Sequence, residues 1–502
     1  MQRLRFPSTG TILMLTLAAF LAAGPAWAQS DLASLEDSPT PASDESQSLD
    51  SMLELVRDQK RLLEKQEKAI QALATRLAEV ESLALGSHNR LQEMDEKAPD
   101  VQVSEAVEER LAELEASVQE LPEKADLVAA GEFPGSFRIP GTNAALKIGG
   151  QVRFTGVNST DAIGSEDRFV TSSIPIAGTE EAGKESRVTY IATPSRLNFD
   201  LRTPTGVGSM RAFIEADYAG PENSFRLRHG FGQWQKFLIG QTWSTFADPE
   251  ARPDGIDFEG LNAIALFRKP QIRWTTPFGG NNSFSLAVEN PAPDVTGAAG
   301  LNQVPDVIAR VRWEPERVRG PLLLLQGIGH IQAAVLIRQV RAEPAEAPNT
   351  TLSTGGFGFN VSGRMSPGLW NDKDDLTWAA YAGKGIGSYI TDLRTLGGQD
   401  GVYDPVTNTV EALPVAATYV GYQHWWNDTM RSTATFGWVY VDNLDIQGGA
   451  ALHQTIRYSL NLSWSPIPRL DLVGEFLSGR RFNKNGERGT ASQFQFGTRF
   501  RF

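Results

Sequence analysis

The 502-residue chain contains no cysteine. This absence excludes a disulfide framework, and it also excludes a lipid-modified N-terminal cysteine. The sequence lacks any apolar run that approaches the ~20 residues of a membrane-spanning helix. It also lacks basic blocks and recognisable nucleic-acid-binding motifs, so no nucleic-acid partner is expected. Burial and backbone hydrogen bonding must therefore stabilise the folded protein without covalent cross-links.

Histidine is scarce, with only five residues in the chain. They are scattered, and they form neither a Ser–His–Asp grouping nor a metal-ligand spacing. The sequence therefore predicts no enzyme, no catalytic residue, no metal site and no cofactor.

The first 28 residues have the parts of a secretory signal peptide. Two arginines precede an apolar run over residues 11–23, and Ala26-Trp27-Ala28 supplies a small-x-small cleavage pattern. Residues 29–50 are rich in Ser, Asp, Pro and Glu, which predicts a flexible leader. The mature chain is expected to leave the cytoplasm without a helical anchor.

The net charge of −13 is unevenly distributed. Residues 29–130 contain 24 acidic and 10 basic residues, a balance of −14. Residues 131–502 contain 36 acidic and 35 basic residues, a balance of −1. The acidity thus belongs to the N-terminal part and says nothing about what the C-terminal part binds.

A seven-residue repeat follows the leader and predicts a helical coiled-coil stem over residues 51–125. One apolar seam of the repeat comprises Val56, Leu63, Ile70, Leu77, Ala84 and Leu91. A single helix cannot bury this seam, so the stem predicts oligomerisation. The alternative is an amphipathic helix that folds back on the rest of the protein. Residues 126–144 are expected to form a hinge.

From residue 145 onwards the period changes to two. In the first segment Leu146, Ile148, Val152 and Phe154 face one way, whereas Lys147, Gln151, Arg153 and Thr155 face the other. Such segments of about ten residues are typical of outer-membrane strands. We count sixteen, which predicts an all-β transmembrane barrel of about 16 antiparallel strands over residues 145–502. A soluble sandwich or propeller is disfavoured because no blade repeat is visible.

The C-terminus alternates in the same way, with Phe494, Phe496, Phe500 and Phe502 on one face. We expect this segment to close the barrel against the first strand. The sixth strand is expected over about residues 262–276. Compact turns are expected at 204–206, 277–280 and 465–469, and long loops at about 159–192, 244–261, 291–305, 385–413 and 481–491.

Arginines dominate the polar faces of these strands. A charge on the lipid side costs about 2–4 kcal/mol near the membrane midplane, so these arginines should point into a water-filled lumen. Arginine can grip a carboxylate or phosphate with two parallel hydrogen bonds, which favours anions. Alternatively, they pair at the rims with loop acids or lipopolysaccharide phosphates. The predicted pore-lining residues are Arg196, Arg202, Arg226, Arg228, Arg310, Arg312 and Arg457.

The loop over residues 244–261 follows the fifth strand and is rich in acids. Opposite charges across a narrow, partly dry gap create a field that orients dipolar or charged solutes. The predicted constriction-loop carboxylates, which could face the arginine wall, are Asp248, Glu250, Asp254, Asp257 and Glu259.

Three motifs resemble the DcaP-like porin family. They are Ser224-Phe225-Arg226-Leu227-Arg228-His229, Gly240-Gln241-Thr242-Trp243-Ser244-Thr245-Phe246 and Asp257-Phe258-Glu259-Gly260. The resemblance covers nearly all of the mature chain and implies a homotrimer of sixteen-stranded barrels in the bacterial outer membrane. It also implies a periplasmic coiled coil, a C-terminal Phe that is read by the barrel-assembly machinery, and uptake of small anions such as dicarboxylates.

The sequence thus predicts an outer-membrane porin for passive diffusion of small, preferentially anionic solutes through a constricted arginine-lined pore. Its expected partners are copies of itself, outer-membrane lipid, lipopolysaccharide, the barrel-assembly machinery and the solutes. Two alternatives are a phosphate-type anion porin and a structural barrel with an envelope-tethering stem. A phospholipase-like enzyme with His229 in a Ser–His pair is disfavoured.

Overall fold

The computed structural model describes residues 130–184, 186–315, 327–368 and 370–502. The predicted signal peptide, leader and coiled-coil stem lie outside the described residues. Of the predicted hinge, the described part includes a short strand, Phe137–Arg138, that pairs with Ala145 and Leu146. Across the described ranges, no helix has the length and apolar character needed to cross a membrane.

Sixteen strands form one closed antiparallel barrel, as the sequence predicted. The strands are β1 (Ala145–Ser159), β2 (Arg187–Ile191 and Arg196–Thr205), β3 (Gly208–Asp217), β4 (Arg226–Trp234), β5 (Phe237–Trp243), β6 (Arg268–Pro277), β7 (Ser283–Glu289), β8 (Asp306–Trp313), β9 (Ile328–Pro344), β10 (Leu352–Met365), β11 (Asp375–Lys384), β12 (Pro414–Trp425), β13 (Met430–Val441), β14 (Leu452–Ile467), β15 (Leu470–Asn483) and β16 (Arg488–Arg501).

Each strand pairs with the next, and β16 pairs with β1 from Gln151↔Arg501 to Ser159↔Gln493. Strand β2 is interrupted at residues 192–195, where the backbone N–H of Arg153 bonds to Ser195 Oγ at 3.0 Å instead of to a strand. Closure pairs the first and last strands, so the sheet has no exposed edge. We call the end that carries Ala145 and Arg501 the terminal rim, and the opposite end the loop rim.

Burial is inverted relative to a soluble protein. On β14, Tyr458 and Leu460 are exposed on the outer face, whereas Arg457 and Asn461 are buried inside the barrel. Exposed Phe494, Phe496 and Phe500 repeat this arrangement on β16. An apolar outer face and a polar interior are what lipid outside and water inside require.

This arrangement predicts a depth-dependent cost for an outward charge. Leu460 is 58% exposed near the middle of β14, and Gln454 lies on the same outer face closer to the loop rim. Leu460→Arg is expected to lower the free energy of unfolding by about 2–4 kcal/mol, and the control Gln454→Arg by about 0–1 kcal/mol. Urea unfolding in lipid vesicles measures both values. Equal losses would contradict the inferred outer face.

Two expected boundaries are wrong. Strand β6 begins at Arg268 rather than near residue 262, because the preceding residues pack inside the barrel. The long loop expected at 481–491 is a tight connection over residues 484–487, closed by Asn483 N–H to Glu487 O at 2.8 Å. Strands β15 and β16 extend into polar sequence there, since strand pairing above the membrane needs no apolar face.

Loops fill one side of the barrel interior with an apolar core. The loop between β11 and β12 contains the short helix α1 (Thr391–Leu396) and a hairpin. Buried side chains of this core include Phe246, Ile264, Tyr389, Ile390 and Leu393. This filling confines the polar space of the lumen to the remaining wall.

Candidate functional site

The loop between β5 and β6, residues 244–267, folds into the lumen, and we call it the inserted loop. Its carbonyl oxygens accept hydrogen bonds from side chains across the barrel. Asn360 Nδ2 on β10 donates to Phe246 O at 2.6 Å, and Asn461 Nδ2 on β14 donates to Asp254 O at 2.9 Å. The inserted loop therefore crosses the interior of the barrel.

The first two carboxylates of the inserted loop bind the wall at β8 to β10. Asp248 Oδ2 lies 2.8 Å from both His330 Nε2 and Ser362 Oγ. Arg312 lies 3.7 Å from Asp248 and 2.5 Å from Glu250. Both carboxylates thus contact the wall.

Asp254 binds two arginines at 2.9 Å, Arg431 on β13 and Arg499 on β16. Burial raises the pKa of the Asp254 carboxyl, but Arg499 and Arg431 outweigh burial and hold this pKa below its usual value. Because an opposite charge within a few ångströms stabilises the ionised form, Asp254 carries a full negative charge there.

Asp257 is bound most completely. Its Oδ2 accepts from Arg457 Nη2 at 2.8 Å, while its Oδ1 accepts from Gln495 Nε2 at 2.7 Å and from the Phe169 N–H at 3.0 Å. Arg457 is only 2% exposed and also donates to the carbonyls of Phe169 and Gly260. Arg457 therefore anchors loops to the wall.

Glu259 accepts from Thr395 Oγ1 at 2.7 Å and lies 3.5 Å from Arg168. All five acids predicted for this loop thus contact partners directly. The open gap between these acids and an arginine wall, expected from the sequence, is absent at these positions. Their hydrogen bonds and ion pairs fasten the loop to the rest of the barrel.

Two adjoining cavities lie in the lumen beside the inserted loop. The terminal cavity, of about 810 Å³, opens towards the terminal rim, where Arg469 and Arg501 line it. The loop cavity, of about 220 Å³, lies on the other side. Arg196 of β2 and Arg252 of the inserted loop line both cavities, so they stand at the junction.

Arginine dominates both cavities. The loop cavity is lined by seven arginines and one carboxylate, Glu259. The terminal cavity is lined by eight arginines and four aspartates. Low-dielectric walls of one charge sign concentrate counter-ions. Arginines outnumber carboxylates in the lining of both cavities.

The two arginines of the junction lack compensation. Within the described ranges Arg252 has no ion pair, and the residue is exposed where it lines the two cavities. Desolvation by the surrounding barrel lowers the pKa of Arg252, and Arg499 and Arg228 lower it further, whereas Asp254 and Asp257 act in the opposite direction. For Arg196, Glu215 Oε1 lies 3.9 Å away, but that oxygen already accepts from Arg228 Nε at 2.8 Å.

Helix α1 brings a further arginine into the loop cavity. Asp392 holds the helix, because its Oδ1 accepts from the Ser172 N–H at 2.8 Å and its Oδ2 from Thr455 Oγ1 at 2.7 Å. Burial raises the pKa of Asp392. The exposed Arg394 on this helix lines the loop cavity. Desolvation by the surrounding barrel lowers the pKa of Arg394 and outweighs the opposite effect of Glu259, and Arg226 lowers this pKa further.

The structure brings three of the seven predicted pore residues together. Arg196, Arg226 and Arg228 line the loop cavity. Arg226 and Arg228 also pair with Asp217, at 2.8 and 2.7 Å. Because the two arginines share this carboxylate, part of their charge is neutralised.

The other four predicted residues line neither cavity. Arg202 pairs with Asp200 at 2.9 Å near the terminal rim, and Arg310 Nη2 donates to Ser285 Oγ at 2.9 Å. Arg312 and Arg457 hold the inserted loop, as described above. An arginine whose side chain faces the barrel interior therefore does not always line a cavity.

Thirteen arginines line the two cavities, and ten of them were not among the predicted pore-lining residues. Four of these ten show why. Arg153 shares the inner face of β1, which alternation had identified, and Arg252 lies within the loop already chosen for its acids. Arg268 was hidden in the misplaced sixth strand, and Arg394 had no sequence signal. The described part of the chain contains no cluster of His, Asp or Glu that could hold a metal ion.

Comparisons with solved structures find porins. The outer membrane channel DcaP of Acinetobacter baumannii matches with a TM-score of 0.62 at 20% identity, over 74% of this chain and 100% of that one. The anion-selective porin from Comamonas acidovorans matches at 0.47 and 10%, over 72% and 100%. OmpT of Vibrio cholerae matches at 0.42 and 12%, over 72% and 98%. At these identities the likeness concerns the fold alone.

No curated protein sequence matches the chain significantly. The family model of the DcaP outer membrane protein matches residues 138–502, which confirms the resemblance seen in the sequence. Family and fold are those of outer-membrane porins, which are channels rather than enzymes. Because this match covers well over half of the sequence, the chain belongs to the DcaP outer membrane protein family.

Proposed function

We propose that the protein is a porin through which small anions, preferentially dicarboxylate-like, diffuse passively across the outer membrane. The observation that carries this proposal is the junction of the two cavities, where Arg196 and Arg252 lack a carboxylate of their own. A solute that passes between the cavities must pass these two guanidinium groups. Fixed cations at that point attract anions and repel small cations.

The lining of the loop cavity favours an organic anion over an inorganic one. Besides its arginines it is lined by Trp243, Phe258, Ile264 and Leu266. Guanidinium groups can bind two carboxylates, while these apolar side chains cover the carbon atoms between them. A phosphate-type anion porin is the second candidate, because arginine also binds phosphate bidentately, but phosphate would leave the apolar wall unused.

The orientation of the barrel in the membrane and the partners of the protein belong to the same proposal. The terminal rim faces the periplasm, where the predicted stem over residues 51–125 would join three copies of the chain into a homotrimer. Exposed Arg480 and Arg488, near the loop rim, would meet lipopolysaccharide phosphates. Phe502, which follows the closing strand, would be read by the barrel-assembly machinery. A purely structural barrel with a tethering stem is the alternative.

Planar-bilayer recording tests the proposal. The purified protein is expected to insert with conductance steps grouped in threes and with a reversal potential on the anion side in a potassium chloride gradient. Succinate is expected to compete with chloride current at lower concentration than phosphate does, because only succinate uses the apolar wall. Phosphate competing better would favour the second candidate.

A barrel that inserts but never conducts would support the structural alternative. A cation-side reversal potential would reject the anion pathway altogether.

A further inference from the structure

We propose that the lumen holds two anion-binding stations in series, which two anions occupy at the same time. The terminal station comprises Arg153 and the loop station comprises Arg268 and Arg394, and both stations include Arg196 and Arg252, which line both cavities. The inference rests on the proposed anion pathway and adds the number of ions that it holds. The two adjoining cavities, each with cations in excess, supply its geometric basis.

The terminal station has hydrogen-bond donors without acceptors. Arg153 is 4% exposed, and its Nη2 has no hydrogen-bond partner within the described residues. Arg196 Nε also lacks a hydrogen-bond partner there. The two residues lie on neighbouring strands, because Gln151 pairs with Arg196 in the β1–β2 ladder. Buried donors are rarely left unpaired, so two such groups beside one cavity indicate a missing acceptor.

The carboxylates of the terminal cavity do not supply that acceptor. Asp254 and Asp471 contact the arginines of β13 and β16, from 2.5 to 3.5 Å. Asp375 pairs with Arg364, and Asp428 pairs with Lys373 at 2.6 Å. Every acid lining this cavity is thus engaged with a cation, so Arg153, Arg196 and Arg252 remain for a passing anion.

The loop station is independently cationic. Arg268 lies over the Trp243 ring, 4.9 Å from its centroid, and has no ion pair in the described ranges. Arg394 is likewise without one there. Glu259, the single acid lining this cavity, is already held by Thr395 and Arg168. An anion in the loop cavity therefore meets two uncompensated guanidinium groups besides the two that the stations share.

Two stations that share Arg196 and Arg252 allow a bound anion to leave quickly. One anion bound to several arginines would leave slowly, and the pore would saturate. A second anion entering the neighbouring station repels the first, and Arg252 contacts the ion on either side of the junction. Conduction through adjacent binding sites proceeds by such mutual displacement.

Mixtures of two permeant anions test the proposal on the full-length protein. Potassium chloride and potassium thiocyanate are mixed at constant total concentration, and single-channel conductance is measured across the mole fractions. Two interacting stations produce a minimum at intermediate fractions. Arg153→Gln weakens the terminal station and Arg394→Gln the loop station, so each is expected to lose the minimum and to show a weaker anion preference than the unmodified protein. The control Arg202→Gln, which lines neither cavity, is expected to keep it.

The outcomes are separable. A monotonic curve in the unmodified, anion-preferring protein would overturn the two stations and leave the porin proposal intact. A minimum that persists in both Arg153→Gln and Arg394→Gln would overturn the assignment of the stations. Absence of any anion preference in the unmodified protein would instead refute the proposed function.

Discussion

Replacing Arg196 and Arg252 together with glutamate is expected to turn an anion-preferring pore into a cation-preferring one. The double variant changes the charge at the junction by four units, and each unit acts on every ion that passes between the cavities. Within the described residues, neither arginine makes a hydrogen bond or ion pair that anchors the inserted loop. The contacts of that loop with the wall come from its carboxylates, its backbone groups and other side chains such as Asn262. The substitution therefore changes the potential without releasing the loop.

The expected size of the change in ion preference follows from elementary electrostatics. Two unit charges 4 Å apart interact by about 1 kcal/mol even in bulk water, and by more beside protein walls. A difference of about 1.4 kcal/mol between an anion and a cation changes their permeability ratio tenfold. Reversing two charges is therefore expected to change the chloride-to-potassium ratio by roughly tenfold or more at low salt, with a smaller change at high salt because mobile ions screen the sites.

Reversal potentials in a potassium chloride gradient measure the effect. Arg480→Glu with Arg488→Glu is the matched control, because it makes the same change in net charge at exposed positions near the loop rim. The control is expected to keep the reversal potential on the anion side. Arg196→Gln with Arg252→Gln is expected to give an intermediate value. If the glutamate variant forms stable trimers yet keeps the original reversal potential, the junction is not where ions are selected.

The sequence predicts the barrel well because one physical requirement repeats along it. Every strand separates lipid from water, so apolar and polar side chains alternate wherever the chain crosses the membrane. This requirement acts on every residue of a strand. It therefore reveals the number of strands and which side chains face lipid or the interior. Above the membrane it no longer applies, which is why the extension of β15 and β16 beyond residue 481 was missed.

The site was less predictable because its residues meet only through tertiary contacts. Arg228 and Arg457 look alike in the sequence, since both are arginines on an inward face. In the structure Arg228 lines the loop cavity, whereas Arg457 contacts Asp257, 200 residues away in the sequence. Alternation shows that a side chain faces the interior. The path of the inserted loop decides whether it meets solute or protein there.

Replacing Arg457 with leucine is expected to release the inserted loop. The substitution removes the 2.8 Å ion pair with Asp257 and the bonds to the carbonyls of Phe169 and Gly260. Asp257, only 2% exposed, would be left in a buried position without its cation. Breaking one partner of a buried pair costs about 3–5 kcal/mol, because the remaining charge is uncompensated.

The barrel itself is expected to remain folded, since its strand pairing does not involve this pair. The free energy is lost locally, in the docking of the inserted loop and of the preceding loop that contains Phe169, and such local openings determine protease accessibility. Single-channel conductance is expected to rise and to fluctuate, with weaker anion preference because Arg252 moves with the loop. Limited proteolysis should cut the chain within residues 244–267.

Two further variants separate loop release from general damage. Arg202→Leu removes a wall arginine from Asp200, near the terminal rim, and is expected to leave conductance steady because Arg211 still binds that carboxylate at 2.8 Å. Arg457→Leu with Asp257→Leu removes both charges, so part of the lost docking energy should return. Unchanged conductance and proteolysis in Arg457→Leu would mean that Asp248 and Asp254 hold the loop without it, and that the anchor is distributed along the inserted loop.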